Sequence, residues 1–303
     1  MTRTAGSLLM LMCLLSSFVL ADDFPVLTGP YLGQRPPGSY PQMFARGIVS
    51  VAENFEHSAA VFSPDGTELF WCTNVNHYGE QPGERLQQLF HMRLVDGVWS
   101  EPAIAPFAQH LEIPIQHPVF SPDGSCLYIE FWSNPSRESD TDIYVVRRES
   151  DGWTEPAALP SAINTSSYER LHCVASDGSM IFTRDLMTSR EAVFISRFVN
   201  GAFTEPDQLG APFDSEANEL AIVLAPDESY MLVALTRTGR EDELYISYKE
   251  PDGRWTDRIR TPLRETGGFL SLSPDGAYLF FLGEGIYWVD TSFVDDLRPD
   301  HLR

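Results

Sequence analysis

Ser63-Pro64-Asp65-Gly66 returns down the chain as Ser121-Pro122-Asp123-Gly124 and Ser273-Pro274-Asp275-Gly276. Degraded copies stand between them at Ala175-Ser176-Asp177-Gly178 and Ala225-Pro226-Asp227-Glu228. The shared aspartates are 58, 54, 50 and 48 residues apart. A period near 50 marks an array of small supersecondary units, none of which buries its apolar face alone. Within each copy, proline presets φ at the second turn position and aspartate bonds the local backbone. Glycine then supplies the positive φ that leads into the next strand. The repeat constrains architecture strongly and chemistry weakly.

Each unit reads as four short strands. In the first, Ser58–Phe62 precedes the turn and Leu69–Thr73 follows it. A polar loop then leads to a third strand at Leu89–Met92, and Asp96-Gly97 turns into an outer strand that opens with Trp99 and stops at Pro102. Trp153, Phe203 and Trp255 occupy the position of Trp99 in the next three units, where aromatic rings are expected as wedges between neighbouring units. The fifth unit runs out at Asp290 without an outer strand. The apolar segment Pro41–Val49 is the natural donor of that strand, because joining the two ends hides both exposed edges. The fold expected is therefore all-β, a five-bladed β-propeller closed by an N-terminal strand. Six blades are the alternative, but residues 22–52 are too few for four more strands. A linear array of sheets is a further one.

The Ser-Pro-Asp-Gly turn, a strand such as Asp142-Ile143-Tyr144-Val145, and the following Asp151-Gly152-Trp153-Thr154-Glu155-Pro156 together resemble the WD40-like repeats of TolB-type propellers, over residues 53–290. The resemblance implies a propeller in an extracytoplasmic setting. Proteins of this kind include exported binding modules, and related propellers gate serine peptidases. It implies no reaction. TolB-type proteins also carry an N-terminal α/β domain, for which this chain leaves no room.

Residues 1–21 read as an export leader: Arg3 is the positive start, Leu8–Leu15 and Phe18–Leu20 form the apolar core, and Ala21 offers a small residue for cleavage. The apolar run is too short and interrupted for a transmembrane helix. Residues 22–52 then carry the closing strand and 53–303 the propeller, with repeats at about 53–108, 109–163, 164–213, 214–262 and 263–295. A periplasmic or secreted location follows from the leader. The formal net charge is −22, with Lys249 the single lysine. Such a surface repels phosphate backbones and argues against nucleic acid as a partner. Cys72, Cys126 and Cys173 lie in expected strands without Cys-x-x-Cys spacing, which suits buried small residues rather than a zinc knuckle.

The turns fall on one face of the propeller. The opposite face carries the longer loops and the segments leading into the inner strands, so function is expected there. Those lead-in segments are polar: Glu56-His57, Gln116-His117, Glu169-Arg170 and Asn218-Glu219. His57, Glu169 and Glu219 each lie eight residues before their turn aspartate, so one rung presents an imidazole and two carboxylates around the channel mouth. That set suits a polar ligand and leaves room for a divalent cation, although no cofactor is required. His172 lies five residues before its aspartate. At about 3.3 Å per residue it is expected roughly 10 Å below His57 and facing the other way, which argues against a three-histidine metal shell. Arg137, Arg190 and Arg240, each followed by a glutamate, occupy equivalent loops and offer a ring for an anionic ligand.

No Gly-x-Ser-x-Gly elbow, His-Glu-x-x-His pair or phosphate-cradling loop occurs. The function expected is therefore an exported binding or scaffold module that recognises a protein or a small polar or carbohydrate ligand at the channel mouth. The alternative is a carbohydrate-active or other hydrolase or lyase, with Glu169 and Glu219 as acid and base.

Overall fold

Each Ser-Pro-Asp-Gly copy closes on itself before it joins two strands. In the computed structural model, Ser63 Oγ donates to Asp65 at 2.6 Å and accepts the Glu68 N–H at 2.9 Å, while Gly66 bonds back to the Ser63 carbonyl. The same pattern recurs at Ser121 with Asp123 and at Ser273 with Asp275. The structure describes residues 24–52, 55–76, 85–111, 113–132, 141–150, 152–185, 191–210, 212–213, 218–236, 242–264 and 266–303. The expected leader, residues 1–21, lies outside them.

Five antiparallel blades result. The first is built from an interrupted inner strand, Phe55–Glu56 and Val61–Phe62, then Glu68–Asn76, Arg85–Val95 and Ala103–Ile104. The second is Ile115–Phe120, Cys126–Trp132, Thr141–Glu149 and Ala157–Ala158. The third is Glu169–Val174, Met180–Asp185, Glu191–Ser196 and Asp207–Gln208, and the fourth Asn218–Leu224, Tyr230–Thr236, Glu243–Tyr248 and Ile259–Arg264. The fifth takes Leu270–Leu272, Tyr278–Leu282 and Ile286–Asp290 from the end of the chain and Gln42–Met43 from its beginning.

That closure is in register, with Gln42 opposite Trp288 and Met43 opposite Tyr287. Phe44 N–H continues the ladder to the Ile286 carbonyl at 2.7 Å, and Ser50 Oγ accepts the Ile286 N–H at 3.0 Å. Phe44 is wholly enclosed among Phe62, Phe280 and Trp288, so the seam between the last and first blades is an aromatic core. Residues before the closing strand add to it. Tyr31 packs edge-on against Phe62 and Tyr278, and the Trp99 indole donates to the Gly29 carbonyl at 2.8 Å.

The outer strands differ from expectation. In the first three blades the Glu-Pro pair interrupts the outer edge rather than ending it. Val98–Trp99 pairs with the outward extension of the third strand, and Ala103–Ile104 resumes beyond Pro102. Ala157–Ala158 and Asp207–Gln208 repeat this in the next two blades, and Ile259–Arg264 is the outer strand of the fourth. Proline lacks the N–H a ladder needs, and the edge absorbs that loss as a local break. The wedge rings behave as the repeat implies: Trp153 meets Phe70 of the preceding blade edge-on at 6.3 Å.

Candidate functional site

Around the axis, the inner strands are not regular. The register slips by a residue between Gln116 and Val119, between Leu171 and Cys173, and between Glu219 and Ala221. In the first blade the ladder breaks between Glu56 and Val61. Such bulges re-aim the side chains that follow, and alternation counted from the turns fails across them. His172 sits in one bulge. His117, at φ 48°, sits in another.

The result corrects the expected facing of His172, which borders the channel across a bulge. Its imidazole and that of His117 border one small cavity of about 30 Å3 on the axis, together with Phe269 of the fifth blade. The Phe269 ring is a hub. His117 lies 4.3 Å from it between centroids, His57 lies 5.4 Å away edge-on, and the Arg170 guanidinium carbon is 5.9 Å from its centre. Three blades thus bring imidazoles or a guanidinium to a ring supplied by a fourth.

Electrostatics within this group are one-sided. Burial and the Arg170 charge push His172 down to about 3. Burial, then Arg170 with the His172 and His57 imidazoles, holds His117 well below the usual histidine range. His57 is lowered chiefly by burial, with Arg170 adding to it. These histidines are neutral at pH 7, and Arg170 is the cation among them. His117 and His172 are 8 % and 7 % exposed, and their Nε2 atoms have no hydrogen-bond partner among the described residues.

The carboxylates fall elsewhere. Glu169 is fully enclosed; it accepts the Thr165 N–H and hydroxyl at 3.1 and 2.5 Å and pairs with Arg184 at 2.9 Å. Burial raises its carboxyl above the ordinary value, and the Thr165 and Arg184 contacts offset only part of that rise. Glu56 is buried and accepts the Val51 N–H at 3.0 Å, and burial raises its carboxyl too. Gln116 is buried opposite Glu130, which itself accepts the Leu171 N–H at 2.9 Å and so ties the second blade to the third. Asn218 and Glu219 begin the fourth inner strand, opposite Thr236 and Leu235. Arg137, Arg190 and Arg240 lie outside the described residues, as do the side chains of Asn218 and Glu219. Among the described residues no three His, Cys, Asp or Glu side chains converge to hold a metal ion, and no helix is long and apolar enough to cross a membrane.

The structure therefore gathers His57, His117 and Arg170 and adds Phe269 and His172. Phe269 lies at a position that reads as plain core, and nothing in the turn spacing marks it.

No protein-family model matches the chain, and no curated protein sequence matches it. Solved structures do. A protein of unknown function from Dyadobacter fermentans is similar at 13 % identity and a TM-score of 0.51, covering 84 % of this chain and 83 % of that one. A putative TolB from Agrobacterium tumefaciens gives 18 % identity and a TM-score of 0.49, over 75 % of this chain and 69 % of that one. TolB from Acinetobacter baumannii gives 13 % and 0.46, over 78 % and 55 %. The likeness is one of fold. The Dyadobacter protein carries it, and at these identities it extends to architecture alone.

Proposed function

We propose that this chain is an exported binding module that captures a polar ligand, or a polar segment of a protein, at the axial channel. The supporting observation is the cluster of His57, His117 and Arg170 around Phe269, in which the buried Nε2 of His117 lacks a partner among the described residues. A buried imidazole nitrogen without a bond costs stability that a bound acceptor or donor restores. An aromatic floor beside a guanidinium also suits a planar or sugar-like ligand that offers one polar edge. Export rests on the sequence of residues 1–21 and the acidic surface. The hydrolase reading draws no support from Glu169, whose carboxylate is enclosed and committed to Arg184 and Thr165.

Thermal-shift screening of the whole chain against neutral and acidic oligosaccharides and short peptides tests the proposal. A ligand present at about 100 times its Kd adds about 2.7 kcal/mol, enough to raise Tm by several degrees. The reading expects hits from one chemical class, lost in both His57→Ala and Arg170→Ala. Hits insensitive to both substitutions, or none across the panel, would contradict it. Turnover of any panel member would favour the hydrolase instead.

A further inference from the structure

The channel opens a second time, through the ring of turns on the opposite face. Here the inner strands leave a cavity of about 210 Å3. Pro64, Pro122, Pro226 and Pro274 stand around its mouth, and Val119, Val223 and Leu272 line its walls. Its inner end is not apolar. His172 borders both this cavity and the smaller one that reaches His117, and neither Nε2 has a partner among the described residues. The small cavity has room for a water or two, but the larger one presents aliphatic surface that water cannot satisfy.

We propose that this turn-face mouth binds a small organic acid. Its ring or short alkyl part fills the proline-rimmed cavity, and its carboxylate meets the His172 and His117 imidazoles. Size supports a small ligand, because a dry cavity of about 150 Å3 accepts benzene and this one is somewhat larger. Charge selects the acid. The Arg170 guanidinium carbon lies 5.9 Å from the centre of the Phe269 ring that borders the small cavity and favours an anion there, to which an imidazole Nε2–H can donate; the buried Glu130 carboxylate, 4.0 Å from His117 Nδ1, opposes it from the other side of that imidazole. Glu228 also lines the mouth. Its carboxylate is engaged by the Ser176 N–H at 2.7 Å and by Lys249 at 3.1 Å, so its repulsion is partly cancelled. The site shares His117 and Arg170 with the cluster proposed above but is entered from the turn face, past Val223 and the rim prolines, which that cluster does not use.

Calorimetric titration of the whole chain with 3-phenylpropanoate, 3-phenylpropanol and 3-phenylpropanamide tests the assignment. The acid is expected to bind at least about tenfold more tightly than either neutral probe. His172→Leu, which keeps the volume and removes the nitrogen, should erase that preference while leaving the alcohol within about twofold. Val223→Phe, which fills the cavity from its wall, should abolish all three. In the wild-type protein the His172 imidazole resonances should also move on addition of the acid, so the assignment does not hang on how a variant folds. Equal binding of acid and alcohol, full acid affinity in His172→Leu, or no binding at millimolar acid would each overturn it. A glycan or peptide held by the cluster around Phe269 depends on His57 and not on Val223, so the two readings fail separately.

Discussion

Phe44→Ala should strike the seam where the two ends of the chain close the ring. The side chain is fully buried, and its ring lies 5.1 Å from Phe280, 5.3 Å from Trp288 and 6.0 Å from Phe62. Truncating a core phenylalanine costs about 3–5 kcal/mol, which includes the cavity left behind. Three aromatic partners at favourable edge-on angles place this one toward the upper end, at about 4–5 kcal/mol. The loss also loosens the ladder that joins Gln42–Met43 to Ile286–Asp290, because Phe44 N–H supplies its next bond. Urea titration followed by fluorescence is the assay. With an m-value of about 3 kcal/mol/M, the midpoint should fall by roughly 1.5 M. Hydrogen exchange should quicken first at residues 286–290. Val98→Ala, at a position 40 % exposed, is the control and should change stability by no more than about 0.5 kcal/mol. A Phe44→Ala protein that unfolds within about 1 kcal/mol of the wild type would refute the view that the N-terminal segment closes the ring.

Glu68 is buried and accepts hydrogen bonds from His91 at 3.2 Å and from Arg148; burial alone would raise its carboxyl, but these two partners hold it below the ordinary value. Glu68→Ala should cost about 2–3 kcal/mol in chemical denaturation, less than a fully enclosed pair because Arg148 is 35 % exposed. Glu228 occupies the glycine position of its turn at φ 58° while bonding to Ser176 and Lys249. Glu228→Gly should therefore be more stable than Glu228→Ala by about 1 kcal/mol, since alanine loses the same bonds and keeps the strained backbone. Acid should weaken the fold through its buried histidines. The unfolded chain takes up protons on His117 and His172 below about pH 6.5, whereas His172 in the folded chain resists down to about 3. Stability should accordingly fall as pH drops through that window, and it should fall less in His172→Leu, as thermal melts at stepped pH would show.

The turn repeat made the architecture legible because its glycines and aspartates act locally. Ser63 and Asp65 satisfy each other and the adjacent backbone regardless of what surrounds them. Closure was legible for a related reason, since a unit lacking an outer strand and an apolar segment lacking a partner solve each other's edge. The site was only half legible. His57, His117 and Arg170 were marked by their polarity at the head of an inner strand. Strict alternation puts His172 on the wrong side, and the bulge that restores it has no sequence mark of its own. Phe269 has no sequence mark, because a phenylalanine near the start of a strand is ordinary core until three other blades converge on it. Glu169 was misleading in the opposite sense: a carboxylate near the mouth looked available, yet Arg184 and Thr165 enclose it.

Proton NMR titration of the imidazoles tests the account most directly, because the channel cluster is its core. The account predicts that His117 and His172 remain neutral far below the ordinary histidine range, with His172 near 3, and that Arg170→Met raises both. Imidazoles that titrate near 6.5 in the folded chain, unmoved by loss of Arg170, would contradict it.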